Sequence, residues 1–154
     1  MRQLMVVKSL LVIAGIISII VGIGQLFFPV AFEASSGVDL GGNVSLLSEM
    51  RGAGGVLLGG GILIIMGAFS TSLRGVSLIL TVLIGLGYGI ARVYGMLVDG
   101  IPHPVLVGVA IGELVIGGLA LLLYQGLRKP AYTLPALSTI LFLILLSDSG
   151  VTPI

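Results

Sequence analysis

Cysteine is absent from this chain, which excludes disulfides, thiol redox chemistry and thiolate metal sites. Histidine occurs once, as His103. One chain therefore cannot supply a bis-histidine haem, and no histidine-plus-carboxylate set has the spacing of a di-iron helix pair. Charge is scarce as well: Asp, Glu, Lys and Arg make up 8% of 154 residues, against about 25% in a soluble domain. A net charge of +1 with no basic run gives no case for nucleic acid as a partner. The chain has no P-loop, catalytic triad, metal motif or nucleotide fingerprint, so no cofactor is expected and a non-enzymatic role is favoured over an enzymatic one.

What the chain has is apolar residues, at 57% of the total. So few charges cannot cover a water-facing surface, and lipid must be the main solvent. The length suits one compact bundle without a second soluble domain. A bilayer core needs about 20 apolar residues in a helix, and four runs meet that length. The first, near residues 4–28, stops at Pro29. Its start, with Arg2 and Lys8, imitates a secretion signal. However, residues 9–28 are long enough to span and 29–34 offers no small-x-small cleavage site, so the first span is expected to be retained. Residues 33–44 carry Ser-Ser-Gly and Gly-Gly-Asn, which are turn formers. Asn43 or Ser45 then caps a second span reaching Phe69, with Glu49 in its early turns, where a carboxylate suits the helix dipole. Ser70-Thr71-Ser72 makes a tight turn into a third span over 73–98. Asp99-Gly100-Ile101-Pro102-His103-Pro104 breaks that span, and a fourth covers 105–127.

The expected fold is an all-α, polytopic transmembrane up-down four-helix bundle over residues 1–130. Residues 131–154 form a C-terminal apolar segment. Its apolar part, 131–146, is at the short limit for spanning, so a short fifth helix there either crosses the bilayer or packs at its interface. Arg2, Lys8, Arg74, Arg128 and Lys129 all fall on one side of this up-down arrangement. The lysine and arginine asymmetry predicts that this side, with the N-terminus, is cytoplasmic. Glu33, Asp39, Asp99 and His103 fall on the other.

Helices associate in lipid through close packing and polar contacts. Among 25 glycines, Gly52, Gly55 and Gly59 share one face of the second span, while Gly85/Gly89 and Gly108/Gly112 are GxxxG pairs. The charges are more informative. Glu113 lies about nine residues into the fourth span from its outer end, and Arg92 about seven into the third, so both sit roughly 10–13 Å deep at 1.5 Å per residue. Each lies on a small or polar stripe: Ala110, Glu113, Gly117 and Ala120 in the fourth span, and Thr81, Gly85, Tyr88, Arg92, Gly95 and Asp99 in the third. The first span offers Ala14, Ser18, Gly22 and Gln25. The second offers Glu49, Gly52 and Gly59, with Arg51 close by. The stripes are expected to face one another. An unpaired charge in lipid costs about 2.5–3.5 kcal/mol, so Arg92 and Glu113 should be paired or face a wet cavity. Gln25, Glu49, Arg51, Tyr88, Arg92, Asp99, His103 and Glu113 form the candidate cluster in the outer half. Either it is a structural ion-pair network or it holds a polar headgroup or small anion. His103, between two prolines, is either a solvated loop residue or a pH-responsive or ligand-contacting one.

Two segments resemble a known family. Glu49-Met50-Arg51-Gly52-Ala53-Gly54-Gly55 enters the second span. Ala91-Arg92-Val93-Tyr94-Gly95, followed by Asp99-Gly100-Ile101-Pro102-His103-Pro104, leaves the third. Together with Glu113, they resemble a bacterial domain-of-unknown-function family of small four-helix membrane proteins related to the DoxX-like group, over about residues 5–127. The resemblance implies a fold and a shared polar cluster only, with no established reaction; the expected location is a bacterial inner (cytoplasmic) membrane. Some DoxX-like relatives are membrane subunits of quinone-linked redox systems, but without cysteine no thiol-based role carries over. The functional expectation is a non-catalytic accessory or structural subunit meeting membrane lipids, other membrane subunits or its own copies within the bilayer. The alternative is a membrane-embedded enzyme or carrier that binds a lipid or quinone headgroup. The two differ in that a structural network should be closed and dry, whereas a working site should be a cavity.

Overall fold

A computed structural model describes residues 2–128. The chain forms α1 (Arg2–Phe27), α2 (Pro29–Ala34), α3 (Val44–Phe69), α4 (Arg74–Val98) and α5 (Pro104–Arg128). The bundle lies within Met1–Tyr124, and of the remainder only the last turn of α5 is described. The expected fifth helix within 131–154 lies outside the described residues. The helices α1, α3, α4 and α5 are long and apolar enough to cross a membrane. They leave large apolar side chains such as Ile20, Val56, Leu83 and Leu122 exposed along their flanks, as a lipid-solvated bundle must.

Helix ends follow local chemistry. Asn43, rather than Ser45, caps α3, its side-chain oxygen accepting from the backbone N–H of Ser45 and Leu46 at 3.0 and 3.2 Å; this satisfies donors that a helix start leaves open. A short helix, α2, stands where the sequence reading placed only a chain stop at Pro29. Proline cannot continue the ladder of α1 but suits the first position of a new helix. At its far end Gly37, at φ 75°, closes a Schellman turn: Gly37 N–H donates to Ala34 O and Val38 N–H to Glu33 O, at 3.1 and 3.0 Å. The ring of Phe32 lies where a side chain at Gly24 would stand, so α2 folds back onto the end of α1.

The packing is up-down. Gly15 meets Gly61 and Ile65, whereas Gly22 meets Gly54 and Leu58, so partners advance in opposite directions along α1 and α3. Gly67 lies against Ser77 and Gly60 against Ile84, which makes α3 and α4 antiparallel. Gly85 lies on Gly117 and the Glu113 carbonyl, and Gly89 on Leu114, which does the same for α4 and α5. Ser77 Oγ donates to Leu63 O at 2.8 Å, a polar contact between α3 and α4 of the kind that holds helices together in lipid. Val7, Leu11, Ala14, Ile64, Ala68, Leu78 and Ala120 form the buried core.

Two glycine expectations need correction. Gly52, Gly55 and Gly59 do not line a packed face, because a side chain built at any of them would meet no atom within 4 Å. The buried face of α3 carries Gly54, Leu57, Gly61 and Ile64. At 3.6 residues per turn, Gly52 and Gly59 point roughly 160° away from it. Gly108 and Gly112 also have open space around them, and Gly117 makes the close contact with α4 instead.

Candidate functional site

The four long helices and α2 surround a cavity of about 630 Å³. It occupies the half of the bundle that carries α2 and the α4–α5 turn. Its lining is mostly apolar, with Ile17 and Val21 from α1, Leu57 from α3, Ile84 from α4, and Val109 and Ile116 from α5. A smaller set of polar groups is held among them, the usual composition of a small-molecule site.

Two polar pairs line the cavity. Arg92 Nε donates to Glu113 Oε2 at 3.0 Å, and the side chains keep 29% and 21% of their surface exposed. This is the single ion pair among the described residues, and it joins α4 to α5 at the matched depth. The other pair is Gln25 and Glu33, with Gln25 Nε2 donating to Glu33 Oε1 at 3.2 Å. Glu33 is buried, with 9% of its surface exposed. Gln25 Oε1 is buried without a hydrogen-bond donor. A carboxylate can only accept, so the amide of Gln25 must point its NH₂ at Glu33 and leave its own oxygen unpaired. A buried acceptor without a partner costs about 1–3 kcal/mol. Tyr88 and Thr81 border the cavity from α4 and Ser18 from α1.

The remaining cluster residues lie elsewhere. Glu49 is exposed, roughly 140° around α3 from the buried face at Gly54, and joins no ion pair among the described residues. Arg51 is also exposed, and its Nη1 donates to the Leu26 carbonyl oxygen. That carbonyl is one of those left open where Pro29 interrupts α1, so Arg51 holds the α1–α2 break against α3. Of the charges in the expected cluster, Arg92 and Glu113 therefore form an ion pair, and Glu49 and Arg51 stand outside it. Asp99 borders a second cavity of about 200 Å³ that shares Arg92 with the first. His103 precedes α5, its Nδ1 accepting from the Val105 N–H at 3.4 Å, and its ring sits beside Gly37. Thus the α4–α5 turn touches the turn after α2.

Sequence reasoning missed Glu33, which it placed at the start of the outer turn-forming segment 33–44. The signal was a proline followed by Val30, Ala31 and Phe32: a helix-starting residue and an apolar stretch that can carry a carboxylate back under the bundle.

The family model for a domain of unknown function, DUF4345, matches residues 6–124. The chain belongs to that family. The matched span takes in every helix that borders the cavity, including α2. As a DUF4345 domain the chain acquires a family but no reaction. No curated protein and no solved structure gives a significant match.

Proposed function

We propose that this DUF4345 protein is a membrane-embedded binding protein or carrier for a small amphiphile, lipid-like or quinone-like. The apolar part would lie among Ile17, Leu57, Ile84 and Ile116, and the headgroup at Gln25, Tyr88, Arg92 and Glu113. The observation that carries this reading is the cavity itself. A purely structural network would be closed, whereas here about 630 Å³ of mostly apolar space adjoins a half-buried ion pair and an unpaired amide oxygen. The accessory-subunit reading draws on a different observation, the exposed strip of Gly52, Gly55 and Gly59 on α3, where a helix of another subunit or copy would approach closely.

Native mass spectrometry of the protein released from mild detergent separates the two. The binding reading expects a small molecule retained one per chain. Gly112 borders the cavity and has no atom within 4 Å of a built Cβ, so Gly112→Phe adds volume there without a backbone clash. That variant should fold normally and lose the retained mass. Retention of a protein subunit and no small molecule, in both forms, would favour the accessory role instead.

This reading includes an orientation in a bacterial inner membrane, with Arg2, Lys8 and Arg74 at the cytoplasmic face. The antiparallel packing brings the α1 start and the α3–α4 turn to the same end of the bundle, which supports it. Cysteines introduced at Ser35 and Ser72, both exposed, report the sidedness in intact cells. An impermeant thiol reagent should label the first and not the second, and the opposite pattern would invert the model.

A further inference from the structure

We infer that the ligand of this cavity carries a cationic, hydrogen-bond-donating headgroup, an ammonium amphiphile, and that Glu33 is its counter-charge. The inference rests on the binding reading above and narrows it to a ligand class. Among the described residues that border the cavity, three carry formal charge: Arg92, Glu113 and Glu33. Arg92 and Glu113 cancel each other through their 3.0 Å contact. Glu33 is left, nine-tenths buried and with no cation within ion-pair distance among the described residues. One of its oxygens accepts from Gln25, and the other meets no donor among the described residues.

A buried carboxylate calls for an opposite charge or for donors. The neighbour it has, Gln25, supplies one N–H and brings a further acceptor, its own unpaired Oε1. Even counting the one donor of the Ser36 hydroxyl, which also borders the cavity here, the α2 side of the cavity offers acceptors in excess of donors. An ammonium group has donors only and one positive charge, which matches that deficit in both sign and hydrogen-bond type. A phosphate or carboxylate headgroup would place a second anion beside Glu33. A quinone, whose ring oxygens only accept, would leave both Glu33 and Gln25 Oε1 unmet. The fold adds a reason for the position. Glu33 is carried by α2, which folds back at the Pro29 break, so the acceptor group sits at the membrane-boundary end of the cavity, where an amphiphile places its headgroup while its chain runs toward Ile64 and Ile116.

The test uses three probes with one chain length: dodecylamine, dodecanol and dodecyl phosphate, each titrated into the full-length protein in mild detergent and read by native mass spectrometry as bound mass per chain. Dodecylamine should bind one per chain, at least tenfold more tightly than either of the others. Glu33→Gln keeps the shape and an acceptor for Gln25 but removes the charge, so it should reduce amine binding at least tenfold and leave dodecanol unchanged. Glu33→Asp should retain the preference for the amine, and it serves with the wild-type selectivity if the glutamine variant does not fold. Equal binding of all three probes, or amine binding indifferent to Glu33→Gln, would overturn the cationic assignment while leaving the cavity a binding site. Tighter binding of the phosphate would overturn it in favour of an anionic headgroup. Failure of every probe to bind the wild-type protein would sink the binding reading along with it.

Discussion

Gly22→Leu is expected to leave little folded protein in detergent, while Gly55→Leu, one residue beyond Gly54, which faces Gly22 across the seam, is expected to be close to neutral. A Cβ built at Gly22 would stand 2.8 Å from the Gly54 carbonyl oxygen and 2.8 Å from Leu58 Cα. Those are backbone atoms, so no rotamer change can relieve the contact, and α1 and α3 would have to separate. Forcing extra atoms into a packed site typically costs about 1–3 kcal/mol and occasionally more; a clash with backbone across an interhelical seam belongs at or above the top of that range. Gly54→Leu should behave like Gly22→Leu, since its Cβ would lie 2.9 Å from the Gly22 carbonyl. Gly55, by contrast, has open space. Folded yield and the thermal midpoint of the three variants, measured side by side, check this. Equal losses at Gly22 and Gly55 would mean that the α1–α3 seam is not where the structure puts it.

The second large effect is expected at the ion pair. Arg92→Met strands Glu113, and Glu113→Gln strands Arg92, each inside an apolar bundle. Breaking one side of a buried pair costs about 3–5 kcal/mol. Because the two side chains keep 29% and 21% of their surface exposed toward the cavity, the lower end of that range applies. The double variant leaves neither charge stranded, so its loss should be smaller than the sum of the single losses, the signature of a direct interaction. Thermal unfolding of the three variants in one detergent gives the cycle. Strictly additive losses would show that the pair contributes nothing as a pair. Adding Glu49→Gln should change none of these values, since Glu49 is exposed and outside the pair.

The long elements were legible because hydropathy over about 20 residues is a direct reading of bilayer thickness. The ends of α3, α4 and α5 fell within about a residue or two of their expected places, where Asn43, the Ser70–Ser72 turn and Pro104 mark them. The Arg92–Glu113 contact was legible for a similar reason, since equal depth in two antiparallel helices is a one-dimensional quantity that counting residues supplies. Rotation about the helix axis was not. Both candidate faces of α3 carry glycines, Gly52/Gly55/Gly59 on one and Gly54/Gly61 on the other. Small residues leave no hydropathy contrast to say which turns inward. Choosing the wrong one carried Glu49 into the cluster. Glu33 escaped because a charge after a proline reads as a loop, and only the return of α2 onto α1, with Phe32 over Gly24, brings it beneath the bundle.

The α1–α3 seam and the cavity use different residues of the same two helices. Gly15, Gly22, Gly54 and Gly61 make the seam, and none of them borders the cavity, which is reached instead by neighbours such as Ser18, Val21, Ala53 and Leu57. Cohesion and selectivity are thus written in separate alphabets on one pair of rods. The glycine positions tolerate almost no variation, whereas cavity positions outside the buried core, such as Val21 and Ala53, can be exchanged without prying the rods apart; Ala14 and Ile64 border the cavity but belong to the core as well. A lineage carrying this scaffold can reshape the cavity by drifting at the second set alone, and a designer who wishes to change its shape should leave the first set untouched.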